Sequence, residues 1–279
     1  MRRRLALALA LSLIAGGAAA QDRQVRLPDG RRIHLDCQGK GKVTAVLEAG
    51  FGADGGEWYA VQPKLAKTMR VCSYDRAASR GSGPGPYPRD GAAIAKDLDQ
   101  ALRAAGIKGP LIGVGHSSGG LYMRIFAARR LPDMKGLVLV DPSVEHAGGI
   151  EGIRREALAC QRFTERTPLD QKDPMYGKCI SNDPEQAKAS RSPDKWRSQV
   201  SEIETLFTTT SDQVDIAQKK ISNVPTIILT AEQGGMLEPH RIMKERFVHA
   251  EQRVIPSGHM MMFEKPDAIV QAVKDLARR

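Results

Sequence analysis

Gly115-His116-Ser117-Ser118-Gly119 is the segment whose residue types and spacing most directly allow chemistry. It follows the apolar run Pro110-Leu111-Ile112-Gly113-Val114 and precedes a helix-like stretch from Gly120 to Ala128. G-x-S-x-G at a strand-to-helix junction is the setting in which this pattern carries a nucleophile. A serine at so sharp a turn holds a strained backbone, and glycines at 115 and 119 clear space that side chains would fill. The turn lifts the Ser117 hydroxyl out of the sheet and leaves backbone N–H groups at a helix N-terminus, where negative charge can develop. Outside that setting the same residues describe an ordinary Gly/Ser turn. A serine hydroxyl is a poor nucleophile at neutral pH, so it needs a base within reach and a carboxylate to orient that base. His259 is the candidate base, because it alone lies in a Gly-His turn behind the last strand-like segment. His116 sits inside the serine turn, His34 on an early strand, and His146, His240 and His249 in inserted or helical segments.

The elements that must position these groups alternate. Gln24–Leu27 and Arg32–Cys37 read as two strands around the turn Pro28-Asp29-Gly30. Thr44–Ala49 is a third strand and ends in Gly50-Phe51-Gly52; Met69–Tyr74 is a fourth. Gly91–Ala105 has apolar residues at helical spacing (Ile94, Leu98, Leu102) and closes at Gly106. Leu111–Val114 and Gly136–Val140 are the fifth and sixth strands. Residues 143–222 then carry few strand signals and several amphipathic helices, such as Arg154–Glu165 and Trp196–Phe207. The sheet pattern resumes at Pro225–Thr230, with a helix near Pro239–Val248, a last strand Gln252–Pro256 and a closing helix from Pro266 to Ala277. Strands alternating with helices predict a mostly parallel sheet covered on both faces, interrupted by a helical insertion.

The chain has 279 residues, 41% hydrophobic and 27% charged, ordinary values for a soluble globular protein. Met1-Arg2-Arg3-Arg4, an apolar core from Leu5 to Ile14 and the small residues Ala18-Ala19-Ala20 predict a secretory signal peptide over 1–20, cut before Gln21. Its apolar core is short for a membrane anchor, and no cysteine stands at the cleavage point for lipid attachment. Loss of these residues takes three arginines and lowers the formal charge from +10 to +7. The basic residues are scattered rather than gathered with aromatics, which argues against a nucleic-acid partner. Four cysteines remain: Cys37, Cys72, Cys160 and Cys179. In an exported chain an even count favours disulfides, with three connectivities open and buried thiols as the alternative. No pair has C-x-x-C spacing, so zinc is not expected.

On the serine turn Gly115–Gly119, the loop Ala49-Gly50-Phe51-Gly52, the segment Tyr74-Asp75-Arg76, the strand end Val140-Asp141-Pro142 and the late Gly258-His259, the chain resembles the α/β-hydrolase fold family over nearly all of residues 21–279. The resemblance implies an α/β fold with a mostly parallel eight-stranded sheet, the nucleophile after strand five, a helical cap (143–222) after strand six and the histidine after the last strand. Many members have His-Gly where this chain has Ala49-Gly50, but the backbone donors of that loop are unaffected. It implies an oxyanion hole from the N–H groups of Ser118 and Phe51. It offers two positions for the acid: the end of the sixth strand, held by Asp141, or the region after the seventh, where Glu232 and then Glu238 stand. Asp141 is preferred for its short side chain on a rigid strand, although an aspartate before Pro142 also suits a turn cap. The family order sets strands two and four side by side, which pairs Cys37 with Cys72 and leaves Cys160 with Cys179 in the insertion. The expected function is exported serine hydrolysis of a small-molecule ester or related acyl bond, with no cofactor and no metal. An aminopeptidase using cap carboxylates (Glu145, Glu151, Glu156) and a catalytically silent binding protein are the alternatives. A haloalkane dehalogenase is disfavoured, since its nucleophile is a carboxylate. Asp75 and Arg76 read as an ion-paired corner, and Met260-Met261-Met262-Phe263 as core or as the wall of an acyl pocket.

Overall fold

Five-residue runs without a polar break, such as Val138-Leu139-Val140 after Gly136-Leu137, bury on both sides only when helices cover both faces of a parallel sheet. The computed structural model describes residues 21–279 and has this arrangement; the signal-peptide expectation for 1–20 lies outside the described residues. In chain order the elements are β1 (Gln21–Arg26), β2 (Arg32–Gln38), β3 (Thr44–Glu48), α1 (Gln62–Ala66), β4 (Arg70–Tyr74), α2 (Gly91–Ala104), β5 (Leu111–His116), α3 (Ser118–Arg129) and β6 (Met134–Val140). Between β6 and the next strand come α4 (Glu151–Thr164), α5 (Tyr176–Cys179), α6 (Pro184–Ser190), α7 (Pro193–Leu206) and α8 (Thr209–Ile221). The chain closes with β7 (Thr226–Ala231), α9 (Leu237–Lys244), β8 (Ala250–Ile255), α10 (Met261–Glu264) and α11 (Pro266–Arg278).

The eight strands lie in the order β1-β2-β4-β3-β5-β6-β7-β8. β1–β2 and β2–β4 are antiparallel and the remaining pairs parallel. β3, β5 and β7 are buried at every position, whereas β2 alternates, as an antiparallel strand near an edge does. One apolar layer joins the sheet to α2 and α3 through residues such as Leu98, Leu102, Met123 and Phe126. The other joins it to α1 and α11 through Leu65, Ile269, Val273 and Leu276. Local signals set the helix ends. The Asp90 side chain accepts the Ala93 N–H and starts α2, which stops before Gly106 at φ +72°. Pro266 opens α11 where a missing N–H is harmless.

Cys37 and Cys72 face each other across β2 and β4 and form a disulfide. A second disulfide joins Cys160 of α4 to Cys179 of α5. The helical insertion stands after β6. Its last helix, α8, packs on α3 and α2, so it doubles as part of the sheet's flanking layer. Within the expected Met260–Phe263 run, Met261 and Met262 are sealed in the core, while Met260 and Phe263 are exposed and Phe263 stacks near Tyr59. Asp75 and Arg76 are not partners of each other. Asp75 meets His34 of β2 at 2.7 Å, and Arg76 meets Glu48 of β3 at 2.8 Å, so each pairs with a different strand beside β4.

Candidate active site

β3, β5, β6, β7 and β8 run parallel, so their carboxyl ends meet along one rim, the place where α/β folds assemble chemistry. Ser117 occupies the turn between β5 and α3 with φ +51° and ψ −123°. That left-handed backbone is held by neighbours: the Ser117 N–H donates to Val140 O (3.1 Å), and Ser117 O accepts from Gly120 N (2.9 Å) and Ser143 N (3.0 Å). A Cβ at Gly115 would stand 2.4 Å from Gly119 O, and one at Gly119 would stand 2.5 Å from Ala49 O. Both glycines are therefore steric requirements of the turn and of its approach to the end of β3.

Asp141 follows β6, also at positive φ (+39°), a conformation aspartate tolerates better than most residues. Its Oδ1 accepts the Ala231 N–H at 2.9 Å, and its Oδ2 accepts from His259 Nδ1 at 2.6 Å. Burial pushes the Asp141 carboxyl up, but the hydrogen bonds from His259 and Ala231 outweigh it and hold the group below the usual aspartate value. A carboxylate accepts only, so Nδ1 of His259 carries a hydrogen, and in the neutral ring Nε2 keeps its lone pair. The His259 side chain is 49% exposed, whereas Asp141 is buried. Glu232, the other candidate acid, sits in a short 3-10 turn after β7 and is exposed. Glu238 is bound to Arg241 at 2.6 Å.

The loop holding His259 is fastened to the serine turn through His116. The two rings lie 4.6 Å apart between centroids, and His116 Nε2 donates to His259 O at 3.1 Å. The other nitrogen, Nδ1, meets Glu57 Oε1 at 2.9 Å, and Glu57 Oε2 accepts the Gly50 N–H at 2.9 Å. One buried carboxylate thus ties the loop after β3, which contains Phe51, to the residue before Ser117. Ser118 begins α3, so its N–H has no carbonyl one turn back. The Phe51 side chain packs against the cluster of Ile94, Leu121, Tyr122 and Ile203, which fixes its backbone.

A second buried set supports the same loop. Arg76 donates to Glu48 Oε1 (2.8 Å), Ala49 O (2.9 Å) and Gly50 O (2.7 Å), and its Nε lies 3.3 Å from Glu202 on α7. Tyr74 donates to the other oxygen of Glu48. Behind Asp141, His240 Nε2 donates to Pro142 O at 2.8 Å, so Nδ1 of the neutral ring accepts from Thr230 at 3.0 Å. Burial lowers the His240 pKa, which keeps that ring uncharged. Sequence reasoning did not assign Glu57, Glu48, Glu202 or His240 to the site. Glu48 carries the clearest signal, a charge at the end of an otherwise uncharged, fully buried strand. Of the cap carboxylates, Glu145 is taken up by Arg124 at 2.6 Å and by Arg246. Glu156 lines a groove beside Phe51.

This rim defines an α/β protein with its polar groups gathered at the strand ends around a strained serine turn. A model of the alpha/beta hydrolase family matches residues 45–272, and the chain belongs to that family of hydrolases. It is 32% identical over 117 residues to protein YqjL of Bacillus subtilis (strain 168), a match covering 42% of this chain and 46% of that protein. It is also 32% identical over 125 residues to an AB hydrolase superfamily protein of Gibberella zeae, covering 41% and 38%. The matched region is less than half the length of either relative. Among solved structures, a thermophilic esterase from Thermogutta terrifontis is similar with a TM-score of 0.68 at 21% identity, covering 93% of this chain and 98% of that one. An esterase from Exiguobacterium antarcticum is similar with a TM-score of 0.68 at 17% identity, covering 92% and 99%. These likenesses are likenesses of fold.

Proposed function

We propose that this hydrolase is an exported serine esterase acting on a small-molecule ester or related acyl bond through Ser117, His259 and Asp141. The observation that carries the reading is the 2.6 Å bond from His259 Nδ1 to buried Asp141, on a loop that is itself bonded to the residue before Ser117. Ser117 Oγ attacks the carbonyl carbon while His259 Nε2 takes its proton. The Asp141 charge stabilises the imidazolium, which returns the proton to the leaving alcohol. Water, activated by the same nitrogen, then releases the acid from the acyl-enzyme. The N–H groups of Ser118 and Phe51 receive the negative oxygen of each tetrahedral intermediate. The insertion 143–222 roofs the pocket and sets the substrate's shape. Two disulfides support export, as does the basic, apolar and small-residue order of 1–20. Among the described residues no helix is long and apolar enough to cross a membrane.

The test is a panel of 4-nitrophenyl esters of rising chain length on wild type, Ser117→Ala, Asp141→Asn and Glu232→Gln, with fluorophosphonate labelling of each. Ser117→Ala abolishes turnover and labelling. Asp141→Asn lowers kcat by roughly 10³–10⁴, as expected when the base loses its correct tautomer. Glu232→Gln stays within about twofold, because an exposed carboxylate away from His259 contributes little. A greater loss in Glu232→Gln than in Asp141→Asn overturns the choice of acid. A folded wild type that neither labels nor turns over any ester leaves a silent binding protein.

A further inference from the structure

Between α4, α7 and the loop after β3 lies a groove of about 330 Å³. Phe51, Ile153 and Trp196 give it apolar walls, and Lys195, Gln199 and Glu156 give it polar ones. The indole of Trp196 is fixed by a 2.9 Å hydrogen bond to Ser190 O. Lys195 is half-buried, and its ammonium lies 5.6 Å from the Trp196 ring centroid. Among the described residues no carboxylate lies within ion-pair distance of it, and its charge faces that ring. Burial holds its pKa below the usual lysine value, opposed only by the more distant Asp54. Asp54 is itself committed to the Gly56 N–H at 2.8 Å. A cation that has lost part of its hydration without gaining an anion is a demand for one. Glu156 across the groove makes no such demand, since it is exposed and keeps its water.

We infer that Lys195 is an anion-recognising residue, and that the substrate is an ester carrying a second, ionised carboxylate separated from the scissile carbonyl by an apolar segment. The apolar segment lies along Phe51, Ile153 and Trp196, and the carboxylate reaches the Lys195 ammonium. The scissile bond in this inference rests on the serine-esterase reading, but the anion site does not. The excess of positive charge, +7 once residues 1–20 and their three arginines are removed from a chain of +10, favours the approach of anionic substrates in the same sense.

Two measurements separate the parts. In turnover, wild type and Lys195→Gln are compared on mono-4-nitrophenyl adipate and 4-nitrophenyl hexanoate, which have equal chain lengths and differ in the terminal charge. Wild type favours the adipate by at least about tenfold in kcat/KM, the effect of one charge-assisted hydrogen bond. Lys195→Gln removes the preference while leaving the hexanoate rate unchanged, and Lys195→Arg restores it. In binding, Ser117→Ala is titrated with 4-phenylbutyrate and with its amide, read by the change in tryptophan emission; Trp196 lines the groove, whereas Trp58 is fully buried and does not line it. The carboxylate binds at least about tenfold more tightly than the amide, and adding Lys195→Gln equalises them. Equal binding of acid and amide, or a preference that survives Lys195→Gln, overturns the inference. A binding preference that depends on Lys195, in a protein that hydrolyses no ester, upholds the anion site and refutes the esterase reading.

Discussion

Both ring nitrogens of His116 face oxygen. Nε2 meets a carbonyl, which only accepts, and Nδ1 meets the Glu57 carboxyl group. Both bonds form together only when a hydrogen is shared between Glu57 and the ring, so the pair acts as one unit. It fastens three parts of the rim: the Gly50 N–H, the residue before Ser117 and the backbone of His259. His116→Leu and Glu57→Leu should each lower kcat/KM by about 10²-fold, the order expected from a displacement of about 1 Å at a reacting centre. Glu57→Gln should lose less, because its amide oxygen still accepts the Gly50 N–H. Steady-state kinetics, with fluorophosphonate labelling rates for Ser117, checks the ranking; equal losses in Glu57→Gln and Glu57→Leu would show that the hydrogen bonds are incidental. Asp141 behaves differently with pH. Its folded pKa is depressed, so its contribution to stability is present above about 3.9 and lost only as pH falls through the lower folded value.

At the scale of elements, α7 is joined to the sheet rim through polar contacts. Glu202 meets Arg76, Ser198 donates to Ala77 O at 3.2 Å, and Ser201 accepts the Arg89 N–H at 2.9 Å. Glu202→Gln leaves Arg76 with one carboxylate instead of two. Breaking a buried pair costs roughly 3–5 kcal/mol, and the remaining Glu48 should hold the loss to about the lower figure. Hydrogen exchange should show α7 opening more readily while β5 and β6 keep their protection; uniform loss across the sheet would place the damage elsewhere. The elements themselves were legible from local pattern: unbroken apolar runs mark β5, β6 and β7, and glycine spacing marks the serine turn. α5 and α6 do not stand out as separate helices in the sequence, because four- and seven-residue helices carry too little periodicity to register. Ser117, Asp141 and His259 stand at strand ends that a one-dimensional reading can find. Glu57, His240 and Lys195 acquire their positions only through packing between distant segments, so no spacing announces them.

For the molecule as a whole, acid and base act in separate pH windows. Burial pushes Glu48 up to about 7, against the pull of Arg76 and Tyr74. A carboxyl whose folded pKa lies above its unfolded value of 4.5 contributes stability that is complete below 4.5 and is lost as pH rises through about 7. The thermal midpoint should therefore fall between pH 5 and 7.5, by up to about 3 kcal/mol in stability. Glu48→Gln should flatten that slope, and parallel melting curves for the two proteins would contradict it. The disulfides act on another axis. Cys160–Cys179 closes a loop with a sequence separation of 19 and Cys37–Cys72 one of 35, each contributing on the order of 3–4 kcal/mol through the unfolded chain. Cys160→Ala/Cys179→Ala should speed proteolysis between α4 and α7 before the sheet is cut, as limited digestion would reveal.

Neither covalent bridge crosses from the insertion to the sheet: one lies within each. An oxidising environment therefore stiffens two lobes individually and leaves the seam between them without a disulfide, resting on α7 against Arg76, Ala77 and Arg89 and on α8 against α2 and α3. Reduction would therefore loosen each lobe separately and leave what holds the two together unchanged.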